Sequence, residues 1–124
     1  MARDLSFWKA KKNARAKNSD IYRELSNGRH LDCIYDIPSA QIMEDIICEF
    51  ANWEQISPSF FENSGESFQL FITRQFVRVD CYNVTELNAN RIIDIMLKYG
   101  CKLYDSTIDV RFDEDNDNQY QKAP

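Results

Sequence analysis

The sequence predicts an α+β fold, and three observations carry that prediction: a strand-turn-strand pattern, a capped amphipathic helix directly after it, and a second apolar-striped helix earlier in the chain. Phe68, Leu70 and Ile72 alternate with Gln69, Phe71 and Thr73, a turn falls near Arg74 and Gln75, and Val77, Val79 and Cys81 then alternate with Phe76, Arg78, Asp80 and Tyr82. A period of two over both arms reads as a β-hairpin. Thr85 supplies an N-cap, Ala89, Ile92, Ile93, Met96 and Leu97 share one helical face, and Gly100 stops the helix. Pro38 and Ser39 open the other helix, whose stripe is Ile42, Met43, Ile46, Ile47 and Phe50, with an end expected near Trp53.

The remaining elements are shorter. Leu5 and Phe7 alternate with Ser6 and Trp8, giving a first strand over about Asp4 to Lys9. The basic stretch Lys11 to Lys17 has no apolar period and reads as a loop, after which Ile21, Tyr22 and Leu25 suggest one or two helical turns ending before Gly28. Leu31 to Ile37 reads as extended. Residues 54–66, with Pro58 and the Asn63-Ser64-Gly65 turn signal, form a connector in which a short strand is expected around Phe60 and Phe61. Lys102 to Tyr104 is a strand that continues or restarts over Thr107 to Phe112. The main elements in order are strand, helix, strand, strand, helix, strand. That is the split βαβ or ferredoxin-like arrangement, an antiparallel sheet with two main helices on one face.

Residues 1–112 are expected to form a single α+β domain, and residues 113–124 an acidic, frayed tail. Leu, Ile, Val and Phe make up 31 of 124 residues, enough for a core and above the range of disordered chains. Apolar runs are too short for a membrane span, and the first 30 residues carry eight Lys or Arg, so neither a span nor a secretory signal is expected and the cytoplasm is the expected location. Cys33, Cys48, Cys81 and Cys101 include no Cys-x-x-Cys pair and have no histidine cluster nearby, which argues against zinc. Cys48 and Cys81 read as small buried apolar groups rather than as a disulfide framework. Asn83-Val84-Thr85 matches a glycosylation sequon, but without a signal it reads as a helix N-terminus.

The net charge of −5 is unevenly spread: residues 1–30 hold eight basic and three acidic side chains (+5), and residues 31–124 hold seven and seventeen (−10). An acidic body repels a phosphate backbone and attracts basic protein partners. Catalytic equipment is sparse. His30 is the only histidine and lies in a Gly28-Arg29-His30 turn, Ser64-Gly65-Glu66-Ser67 is no nucleophile elbow, and three scattered glycines build no phosphate cradle. Glu44 with Asp45 and the acids from Asp113 to Asp117 read as solvated faces. No catalytic residue, metal or cofactor is therefore assigned.

The sheet face opposite the helices holds the strongest constellation: Gln69, Phe71, Thr73, Phe76, Arg78, Asp80 and Tyr82. Left uncovered, Phe71, Phe76 and Tyr82 form an apolar patch suited to a partner; cover by the chain itself or by a second copy is the alternative. Phe71, Phe76, Arg78, Asp80, Tyr82, Asp105 and Asp109 form the candidate partner-binding set. RNA-recognition domains use this architecture, but Arg74-Gln75-Phe76-Val77-Arg78-Val79 lacks their glycine and second aromatic, so nucleic acid is not an expected partner.

Four segments carry a family resemblance: Asp4-Leu5-Ser6-Phe7-Trp8-Lys9, Ile21-Tyr22-Arg23-Glu24-Leu25 before a glycine turn, Phe68-Gln69-Leu70-Phe71, and Gly100-Cys101-Lys102-Leu103-Tyr104-Asp105. Over residues 3–112 the chain resembles small immunity proteins of bacterial polymorphic toxin systems, including those of contact-dependent growth inhibition. The resemblance implies a cytosolic, non-enzymatic inhibitor that binds a cognate toxin C-terminal domain, often a nuclease, as a monomer or weak homodimer. It transfers no functional residues. The rival expectations are a homodimeric regulatory module and a small enzyme with a pocket in which His30 or paired acids approach a nucleophile.

Overall fold

The computed structural model describes residues 2–12 and 14–112; the expected tail, 113–124, lies outside them. The chain forms β1 (Ala2–Trp8), α1 (Asn18–Ser26), α2 (Ser39–Glu49), β2 (Glu54–Ser57), β3 (Phe60–Asn63), β4 (Glu66–Ile72), β5 (Val77–Tyr82), α3 (Glu86–Lys98), β6 (Lys102–Asp105) and β7 (Val110–Phe112). The strands make one sheet in the order β2-β3-β4-β5-β1-β6-β7, antiparallel at every pairing. The α+β class with helices against an antiparallel sheet is as expected.

Alternation sorts the side chains into two layers. Leu5 and Phe7 of β1, Phe68 and Leu70 of β4, Val77, Val79 and Cys81 of β5 and Leu103 of β6 meet Ile42 and Ile46 of α2 and Ala89, Ile92, Ile93 and Met96 of α3. Aromatic rings fill the β3–β4 end of this layer, where Phe68 stacks on Phe61 at 5.0 Å and meets Phe50 edge-on at 5.0 Å. The two longer helices thus share one face.

Local chemistry explains the boundaries. Thr85 Oγ1 accepts from the Asn88 N–H (3.3 Å), and Glu66, reaching across from β4, accepts from the Thr85 N–H (2.9 Å) and the Asn88 side chain (3.0 Å). Gly100 ends α3 with φ +75, the Cys101 N–H returning to the Met96 carbonyl at 3.1 Å. The expected end of α2 near Trp53 is corrected to Glu49. Arg91 of α3 reaches over, donating to the Glu49 carboxylate and carbonyl, and its guanidinium lies 4.4 Å from the Phe50 ring.

The connector 54–66 holds two strands rather than one. β2 and β3 form a hairpin, and β3 joins β4 through Ser64 and Gly65, both at positive φ (50 and 87), as a two-residue primed turn requires. The expected extended segment Leu31 to Ile37 forms no named strand. It carries one bridge, Ala10 to Ile34, and is pinned by buried Gln75, whose amide donates to the Leu31 (2.7 Å) and Ile34 (2.8 Å) carbonyls.

Candidate functional site

The face of the sheet away from α2 and α3 is divided in two. On one half Trp8, Phe76 and Tyr104 are covered by Ile21 and Leu25 of α1 and by Ile34, forming a second small core. The chain covers this half itself. The other half, over β2, β3, β4 and the end of β5, has no helix on it, and register defines its rows. Glu54, Glu62, Ser67 and Tyr82 lie in successive cross-strand pairs, followed by a row of Phe60, Gln69, Asp80 and Asp4. Glu54, Glu62, Gln69 and Tyr82 are exposed, and Phe60, Asp80 and Asp4 half-buried.

Four of the candidate partner-binding residues gather here. Phe71 faces Arg78 across the β4–β5 pair, with the guanidinium 5.0 Å from its ring, and Arg78 Nε lies 3.1 Å from the Asp80 carboxylate. Tyr82, 39% exposed, stands at the open end.

Two candidates are corrected. Phe76 is fully buried, its ring 6.2 Å from Trp8, 6.4 Å from Tyr22 and 6.2 Å from Phe71, so it belongs to the second core and cannot be touched by a partner. Asp105 points to the helix side and is 2% exposed, held by Arg3 (2.9 Å) and the Thr107 N–H (3.0 Å). It organises the β6–β7 turn. Asp109 is exposed at φ +52 and accepts from the Tyr104 hydroxyl at 2.7 Å; burial, with that carboxylate, pushes the Tyr104 phenol well up.

Electrostatics give the open half its character. Glu54 faces Glu62 and Asp4 faces Asp80, two like-charged pairs directly opposite one another across neighbouring strands. Such pairs oppose sheet formation. Asp4 accepts from the Tyr22 and Ser106 hydroxyls, and Arg78 answers Asp80, whereas Glu54 and Glu62 have no ion pair among the described residues. A depression of about 300 Å³ lined by Arg3, Asp4, Asp80, Tyr82, Ser106 and Thr107 adjoins the acidic rows.

Glu54, Glu62 and Phe60 were not anticipated as surface residues of this sheet. Their signal was the alternation of Phe60 and Glu62 about Phe61 just before the Ser64-Gly65 turn, too short to place the hairpin at the sheet edge.

His30 is half exposed on the loop after α1, its ring nitrogens 3.9 Å from Asp32 and 3.6 Å from Asp36. A cavity of about 270 Å³ beside it is lined by Gly28, Arg29, His30, Thr73, Arg74 and Gln75. Cys81 and Cys101 are buried as free thiols, while Cys48, expected inside, is exposed on α2. No three His, Cys, Asp or Glu side chains among the described residues are placed to hold a metal, and no helix there is long and apolar enough to cross a membrane. No family model, curated protein or solved structure matches the chain.

Proposed function

We propose that this protein is a stoichiometric inhibitor of a basic protein partner, a cytosolic immunity protein whose cognate ligand is a toxin C-terminal domain with a cationic, nuclease-type cleft. One observation carries the reading: the open half of the outer sheet face collects Glu54, Glu62 and Asp80 around Tyr82 and Phe60, with Asp4 of β1 at its border, and holds two like-charged cross-strand pairs. A cationic surface laid on these rows would turn that repulsion into attraction, and Phe60 and Tyr82 would supply the apolar contacts of an interface centre. We further propose that β4-β5-β1-β6 with α2 and α3 are a ferredoxin-like split βαβ unit carrying the β2–β3 hairpin on one edge and β7 on the other; the strand order and the helix placements support this.

The test uses the C-terminal region of the protein encoded immediately upstream of this gene, which this reading expects to be the toxin. A one-to-one complex and rescue of growth are expected. Glu54→Lys and Glu62→Lys should each slow association by about tenfold at low salt and flatten its salt dependence, with Glu44→Lys on α2 as the off-face control. Failure to bind or protect, or equal association rates for outer-face and control variants, would overturn the proposal.

A further inference from the structure

Twelve of the fifteen Lys and Arg side chains fall into two sets. Arg3, Arg23, Arg29, Arg74, Arg78, Arg91 and Lys98 each hold a carboxylate within 4.0 Å. Lys9, Lys11, Lys12, Arg15 and Lys17 hold none among the described residues, and residues 5–19 contain no acid at all.

This stretch is anchored in part. The Lys11 N–H donates to the Cys33 carbonyl (2.8 Å) and the Tyr35 N–H to the Lys9 carbonyl (2.8 Å), so residues 9–11 lie along 33–35 as a short ribbon. Both ammonium groups crowd one exposed ring, Lys9 Nζ at 5.3 Å and Lys11 Nζ at 5.5 Å from the Tyr35 centroid. Lys9 also lies against Gly100, where a Cβ would come within 3.2 Å of its Cε and move the flexible Lys9 chain by a few tenths of an ångström. Two ammonium groups drawn to one ring repel each other, and in a chain of net charge −5 they stand beside an excess of carboxylates.

The topology points to where those carboxylates come from. Leu103 of β6 pairs with Phe7 of β1 on one side and Phe112 of β7 on the other, and β1 and β7 run in the same direction. Phe112 thus lies about 10 Å from Phe7, two strand spacings away, and the chain leaves β7 toward the end of the sheet where β1 delivers Lys9. Asp113, Glu114, Asp115 and Asp117 follow at once. Five extended residues span about 17 Å, which exceeds that separation.

We infer that the surface built by Lys9, Lys11 and Lys12 is an anion-binding surface whose occupant is the chain's own Asp113–Asp117 segment, so that an outside polyanion gains the surface only by displacing it. The occupant is an acidic peptide by chemistry and intramolecular by connection, and its local concentration is set by the short tether.

Zero-length carbodiimide coupling of the full-length monomer, read by peptide mass spectrometry, tests the pairing. Amide links from residues 113–117 to Lys9, Lys11 or Lys12 are expected at low salt and lost in about 1 M NaCl, where screening reaches about 3 Å. Links confined to Lys98 or Lys102, or links found only in dimers, would overturn the inference. The second arm measures binding of a fluorescein-labelled oligouridylate to the full-length variant D113N/E114Q/D115N/D117N. It should bind about tenfold more tightly than wild type at low salt. Adding K9Q/K11Q/K12Q should remove the gain. Equal binding by wild type and the neutralised variant, or tight binding already by wild type, would refute the tail as the occupant.

Discussion

Phe76 shows what a single residue's surroundings decide. Alternation places it on the outer face with Arg78, Asp80 and Tyr82, and that placement holds. What covers a face is a separate matter: α1 lays Ile21, Tyr22 and Leu25 over the cluster that Phe76 forms with Trp8 and Tyr104. Gln75, next along, pins the 31–34 segment beside it, a role no periodicity announces because it depends on one amide reaching across 44 residues of chain. Phe76→Ala should therefore act on stability and not on a surface. A loss of about 3–5 kcal/mol is expected from chemical denaturation, as for other buried aromatic truncations; an unchanged midpoint would mean the second core is not packed as described.

Among the elements, α3 and the β4–β5 hairpin were legible almost to the residue, since Thr85 and Gly100 bracket the helix and alternation is unbroken on both strands. Each carries its own start and stop signals. β2 was not legible: Glu54–Ser57 is exposed throughout, sits at the sheet edge with an irregular register, and owes its conformation to pairing with β3 rather than to an apolar period. α1 was foreseen as a helix, but not which side of the sheet it covers. The open acidic site was legible in the same uneven way, its β5 residues readable and its β2–β3 residues hidden in an apparent connector. The β3–β4 turn gives this level its test. Gly65 sits at φ +87 with nothing within 4 Å of where a Cβ would stand, so Gly65→Ala meets only backbone strain. A destabilisation of about 1–2 kcal/mol in the unfolding midpoint, without a change in m-value, is expected.

For the molecule as a whole, burial of ionisable groups sets the alkaline limit of stability. Burial pushes the Cys81 thiol from 9.0 up to about 12 and the Cys101 thiol up to about 11, and the Tyr104 phenol rises as well. Each of these groups loses its proton later when folded than when unfolded. The unfolded chain therefore releases protons first, and stability, full below about pH 9, falls as the pH rises through the folded values. Denaturation midpoints at pH 7, 9 and 10.5 should decline over the last interval, and Cys81→Ala should flatten that decline; a flat wild-type profile would contradict the burial of these groups.

Arg91 binds the end of one helix from the body of another. The last turn of α2 has no basic residue of its own, and its Glu49 carbonyl is met by a guanidinium supplied 42 residues further along. The polypeptide thus writes the beginning of a helix in one place and its terminator in another. A nascent chain that has passed Glu49 still lacks the group that closes α2, and only the emergence and docking of α3 makes the earlier helix complete.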